Sequence, residues 1–161
     1  AMVQNACFGG GAGYAAACDI IFASEDARFA ITEVRLGITP APILNQLIKA
    51  LGGRQARRYA ITAETFDAKR AKEIGFVHEV CPVGGLDKAV KPTIDAILSS
   101  APTAVSKTKE MIGVYSGYNL SDEVADELAV ISASGRDSDE GIEGFSAFLE
   151  KRPPLWYPED S

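Results

Sequence analysis

Phe8-Gly9-Gly10-Gly11-Ala12-Gly13-Tyr14-Ala15-Ala16-Ala17-Cys18-Asp19-Ile20-Ile21-Phe22-Ala23 is the stretch on which the fold turns. Its three consecutive glycines free the backbone for a tight turn that side chains would obstruct. Ala12 to Cys18 is small and apolar enough for a closely packed helix, and Asp19 ends it as a structural cap. Ile20 to Ala23 is a short apolar run that reads as a buried strand. Upstream, Met2 to Phe8 reads as another buried strand; downstream, Arg28 to Ile31 is a further short extended piece. The order strand, glycine turn, helix, strand, strand predicts layered α/β structure with helices against a sheet. A domain seldom opens on a core strand that runs straight into a glycine turn, so further structure is expected to precede Met2.

Further out, Pro40 and Pro42 bracket a turn. Ile43, Leu44, Leu47, Ile48 and Leu51 then recur at helical spacing until Gly52-Gly53 stops them. Gln55 to Ile61 predicts another helix. Asp67 is a good N-cap for a helix over Ala68 to Ile74, with Gly75 as its stop. Phe76 to Cys81 alternates well enough for a strand. From Leu86 onward only helices are predicted. Leu86, Val90, Ile94 and Ile97 make one stripe, in which Pro92 predicts a kink or a late start. Val105 to Val114 is the next helix, and Ser121 caps a third with Val124, Leu128 and Ile131 facing inward. Asp137 to Glu150 is the last, with Ile142, Phe145, Phe148 and Leu149 on its apolar side. The tail from Pro153 reads as extended.

A chain of 161 residues suits one domain with a single core, and 47% hydrophobic with 24% charged residues is ordinary for a globular protein. The net charge of −6 argues against a duplex nucleic-acid binder, which needs a basic face to displace phosphate counterions. Three cysteines, Cys7, Cys18 and Cys81, without C-x-x-C spacing predict reduced thiols rather than a disulfide framework or a zinc site. No apolar run approaches the roughly 18 residues of a membrane span, and no signal-peptide layout opens the chain. A soluble cytoplasmic protein, with no membrane partner, is the expectation.

Two features could carry chemistry. The backbone N–H groups of Gly9-Gly10-Gly11 would sit at the positive end of the following helix, a natural place for a developing oxyanion, although such a run also serves purely structural turns. The run satisfies neither the G-x-G-x-x-G nor the P-loop pattern. Glu33 follows an apolar strand directly, and a carboxyl sheltered there suits proton transfer. Alternatively it pairs with Arg28 or Arg35. His78, the only histidine, lacks neighbours at metal spacing and reads as structural.

The order of these features resembles the signature of the enoyl-CoA hydratase/isomerase (crotonase) family. The resemblance rests on Phe8 to Ala23, on Ala27-Arg28-Phe29 and on Glu33-Val34-Arg35-Leu36-Gly37-Ile38. It continues through Leu51-Gly52, Ala68 to Val77, Lys107-Thr108-Lys109, Glu140-Gly141-Ile142 and Phe148 to Pro153, and so covers nearly the whole chain. It implies a partial spiral of ββα turns over 1–98, lacking its N-terminal turns, and a helical oligomerisation region over 99–161 that makes a homotrimer or dimer of trimers. An acyl-CoA thioester is implied as substrate, bringing its own coenzyme A, with no separate cofactor and no metal. Gly10 N–H matches one of two oxyanion donors, the other lying upstream. Glu33 matches the second of two catalytic glutamates, and Gly13 stands where the first would be. Phe148 and Lys151 are implied to approach a neighbouring subunit's acyl-CoA, Lys151 facing phosphate. The pattern is closest to bacterial hydratases of the methylglutaconyl-CoA and carboxygeranoyl-CoA type, which implies water addition to an enoyl thioester. The alternatives are double-bond isomerisation by a lone glutamate and a truncated, catalytically silent relative, weakly active or inactive.

Overall fold

The computed structural model describes residues 1–36, 38–116 and 122–157. Gly37, Ser121 and the tail beyond Tyr157 therefore lie outside the described residues, as do the side chains of Val124 and Leu128 in the third C-terminal helix.

The segment from Met2 to Phe8 forms two strands, not one: β1 (Met2–Val3) and β2 (Ala6–Phe8). Asn5 breaks it by taking a left-handed φ of 55°, a region asparagine tolerates better than most residues. Met2 is 46% exposed and it is Val3 that enters the core, so the expectation of a buried Met2 fails. After α1 (Gly10–Ala16) the same division recurs, with β3 (Phe22–Ser24) and β4 (Arg28–Ala30) separated by a short turn. β1 pairs in parallel with β3, Met2 opposite Phe22; β2 pairs in parallel with β4, Ala6 opposite Arg28. Each ββα turn thus sends one strand to each of two sheets, and the next turn stacks upon it. The sheets are completed by β5 (Phe66–Asp67), antiparallel to β4, and β6 (Glu79–Cys81), parallel to β3. This is the α/β spiral that the resemblance implied.

Between β4 and β5 run two 3₁₀ turns, Glu33–Leu36 and Ala41–Ile43, and then α2 (Leu44–Thr62). Gly52 interrupts α2 with φ 71° and ψ 152°, so the two helices expected on either side of Gly52-Gly53 are both present across a kink. Asp67 caps α3 (Ala68–Glu73), its carboxylate accepting the Arg70 N–H at 2.8 Å, and Gly75 follows at φ 79°. Of the strand expected over Phe76 to Cys81, only its last three residues pair. Phe76 and Val77 go into the core instead, where Phe29 stacks on Phe66 at 5.6 Å and meets Phe76 edge-on at 5.4 Å.

The chain divides into two compact units, Ala1–Lys91 and Pro92–Ser161. The division falls inside α4 (Leu86–Leu98), at Pro92, which leaves the Lys88 carbonyl without its helical donor. In the second unit follow α5 (Pro102–Tyr115), α6 (Asp122–Arg136) and α7 (Asp139–Glu150). Ser138 caps α7 by accepting the Gly141 N–H at 3.1 Å. Glu140 ties α7 to the start of α5 by accepting the N–H groups of Thr103 at 2.9 Å and Ala104 at 3.1 Å. The chain after α7 folds back: Arg152 makes a two-pronged pair with Glu143 at 2.6 and 2.9 Å, and the Trp156 indole N–H donates to the Ser99 carbonyl at 3.2 Å. Ala147 alone is buried in α7, whereas Ile142, Phe145, Phe148 and Leu149 are all exposed. No helix among the described residues is long and apolar enough to cross a membrane.

Candidate active site

The first unit builds the site from one glycine turn and one carboxylate. Gly9 adopts φ 53° and ψ −124°, a combination that a Cβ would strain, and its N–H is anchored to the Ala30 carbonyl at 2.9 Å. That bond carries β2 across to β4 and aims the chain into α1. The first bond inside α1 runs from the Gly13 N–H to the Gly9 carbonyl at 3.2 Å. The N–H groups of Gly10 and Gly11 precede it and so have no partner within the helix.

Glu33 is half-buried at the start of the first 3₁₀ turn, just past the end of β4. Its carboxylate comes back against the glycine turn. A Cβ built on Gly9 would lie 3.3 Å from Glu33 Oε1 and 3.2 Å from Thr32 Oγ1, so the turn is approached to contact distance. Glu33 Oε2 is shielded from solvent and accepts no hydrogen bond among the described residues. The pairing with Arg28 or Arg35 that the sequence left open is not formed: Arg28 donates instead to the carbonyls of Glu25 at 3.3 Å and Ala27 at 2.9 Å. A shielded carboxylate oxygen without a donor is costly to keep. Glu33 Oε1 and Thr32 Oγ1 thus stand against Gly9, the residue that precedes Gly10 and α1.

Gly13 has no room for a longer side chain. A Cβ there would overlap Ile43 Cγ2 and lie 2.6 Å from Ile43 Cβ. The place where the resemblance puts a first glutamate is thus filled by an isoleucine from the second 3₁₀ turn. Nothing in the sequence signalled that contact, because Ile43 and Gly13 lie far apart along the chain and only the fold brings them together. The close approach of Thr32 and Glu33 to Gly9 was equally invisible.

His78 has a structural role: its Nδ1 accepts the Ile21 N–H at 3.1 Å while its backbone N–H donates to the Ile21 carbonyl at 2.9 Å. Cys7 and Cys81 are core residues whose thiols burial pushes upward, and Cys18 is exposed. Phe148 and Lys151 belong to the second unit. Phe148 lines a cavity of about 430 Å³ there with Ala104, Lys107, Gly141, Phe145 and Trp156. Lys151 closes α7 in a left-handed conformation, φ 54°, with an exposed side chain.

A model of the enoyl-CoA hydratase/isomerase family matches residues 1–159. The crystal structure of an enoyl-CoA hydratase from Shewanella pealeana is 40% identical and superposes with a TM-score of 0.91, over 96% of this chain and 58% of that one. The mevalonyl-coenzyme A hydratase of Aspergillus fumigatus is 32% identical over 98% of this chain and 59% of its own length. A mitochondrial dienoyl-CoA isomerase of Dictyostelium discoideum is 32% identical over 97% of this chain and 54% of its own. The chain thus spans between half and two thirds of the length of these relatives. Its spiral of stacked strand pairs, its glycine turn and the run of the match along nearly every residue agree: the chain belongs to the enoyl-CoA hydratase/isomerase (crotonase) family, of whose fold it forms part.

Proposed function

We propose that the chain carries the proton-transferring part of an enoyl-CoA hydratase site. In that reaction a water oxygen bonds to C3 of the enoyl thioester, the double-bond electrons move onto the thioester oxygen as an enolate, and C2 receives a proton. Gly10 N–H holds the enolate oxygen and protonated Glu33 passes its proton to C2; the proton that the water loses goes to another group or to solvent, and Glu33 regains its own from solvent. The observation that carries this reading is Glu33, whose Oε2 is shielded and unpartnered and whose Oε1 stands against Gly9, the residue before α1. Double-bond isomerisation is the second reading. It is favoured by Gly13, since Ile43 fills the space a second carboxylate would need and leaves Glu33 to shuttle a proton alone.

The substrate brings its own coenzyme A. Phe148 and Lys151 are proposed to meet the acyl-CoA held by a neighbouring copy in a homotrimer or dimer of trimers, Phe148 against apolar parts and Lys151 against phosphate. The exposed apolar face of α7 and the apolar cavity beside Phe148 support this.

The test is loss of enoyl-thioester ultraviolet absorbance with a panel of short and branched acidic 2-enoyl-CoAs, and its appearance from 3-enoyl-CoAs. Glu33→Gln lowers turnover by about 10²–10⁴-fold while the protein stays folded. Equal turnover in the variant removes Glu33 from the chemistry. A folded wild-type chain inert on every substrate retires both readings and leaves a catalytically silent relative.

A further inference from the structure

Thr32, Glu33 and Ile43 meet the first turn of α1 and its cap at two points. At one, Thr32 Oγ1 and Glu33 Oε1 lie against Gly9, 3.2 and 3.3 Å from where a Cβ would be. At the other, the Ile43 side chain fills the space over Gly13, so that an added Cβ would lie 2.6 Å from Ile43 Cβ and 3.2 Å from Ile43 Cδ1. Gly9 and Gly13 stand one helical turn apart and are joined by the Gly13 N–H to Gly9 carbonyl bond. One turn of helix therefore sets the distance between the two contacts. Ile43 is half-buried and packs against the main core, so displacing it from Gly13 disturbs that packing. Glu33 has no comparable anchor: its Oε2 is unpartnered and no ion pair holds it among the described residues.

We propose that Gly13 and Ile43 form a size-matched lock that fixes where the Glu33 carboxylate sits, with Ile43 as its positioning residue. A methyl group at position 13 lifts Ile43, the displacement is passed to the first 3₁₀ turn, and Glu33 loses its register on Gly9. A smaller residue at 43 frees the segment in the opposite way. The catalytic consequence rests on reading Glu33 as the proton-transferring group; the structural consequence does not.

The experiment uses the full chain in three variants: Gly13→Ala, Ile43→Ala and the pair Gly13→Ala with Ile43→Gly, which removes the overlapping Cβ. Amide hydrogen exchange is followed at Arg35 and Ile38, whose N–H groups bond to the carbonyls of Thr32 at 3.0 Å and Glu33 at 3.3 Å. Each single variant speeds exchange there by about tenfold while the second half of α2 keeps its protection. Each also lowers kcat by up to about 10²-fold, the scale of an ångström-sized misplacement, with KM within about twofold. The paired variant relieves the overlap but loses the Ile43 side chain as Ile43→Ala does, so its losses stay near those of Ile43→Ala instead of adding to those of Gly13→Ala. Ile43→Ala only deletes atoms, so it decides the matter should Gly13→Ala not fold. Unchanged exchange at Arg35 and Ile38 in Ile43→Ala overturns the lock, as does a paired variant whose losses are the sum of those of the two single variants. If the wild-type chain turns over no enoyl-CoA, the hydratase and isomerase readings fall and the exchange measurement alone decides the lock.

Discussion

At the scale of the residue, the glycine run divides its labour. Gly9 supplies a backbone conformation closed to other residues and lets Thr32 and Glu33 come close; Gly10 offers an amide; Gly13 makes way for Ile43. Gly9→Ala should therefore be costly twice, through its φ of 53° and through contacts of 3.2 and 3.3 Å with Thr32 and Glu33. We expect a loss of about 1–3 kcal/mol in urea unfolding, together with a fall in any turnover. Gly11→Ala, with open space around its Cα and an ordinary helical backbone, should show neither, and equal losses in the two variants would contradict this division. The run itself was plain in the sequence, as was Glu33 after its strand. Which glycine does what was not, because that depends on atoms contributed from 20 to 30 positions away.

At the scale of the element, local signals served well wherever a helix end is fixed by its own residues. Asp67, Gly75 and the Gly52 break fall where capping and breaking rules place them. The misjudged elements depend on partners: Met2 to Phe8 splits because its halves join different sheets, and Phe76 and Val77 leave their strand for the aromatic core. One element also titrates. The Arg152 guanidinium holds the Glu143 carboxyl below the usual carboxylate range, burial opposes this, and the Leu155 amide assists it. A carboxyl depressed in the folded state stabilises at pH above its unfolded value, and that contribution is lost as the pH falls through the folded one. Acidification below about pH 4 should therefore release the tail. Trp156, the only tryptophan, reports it as a red-shifted emission preceding loss of helical circular dichroism. Glu143→Gln should show the red shift already at pH 7; a blue emission there would disprove the assignment.

At the scale of the whole molecule, the exposed face of α7 is the feature that bears on assembly. Its apolar side exists as expected, but Phe148 and Leu149 are 78% and 76% exposed. Four large apolar residues on one side of a helix form a patch of the kind that marks contact with another protein. If copies of the chain cover it, Leu149→Asp should shift the assembly to smaller particles in light scattering at fixed concentration, without loss of helix content. A wild-type chain already monomeric at micromolar concentration would refute the homotrimer.

By itself the sequence determined the family, the order of the elements, the glycine turn and Glu33 as the carboxyl to watch, because each is written in a contiguous run whose residues act on one another. Only the tertiary structure decided that Glu33 stands unpaired against Gly9, that Ile43 fills the space over Gly13, and that the apolar side of α7 is left open. These are matters of which distant surfaces touch, and contact between remote segments is set by how the ββα turns stack.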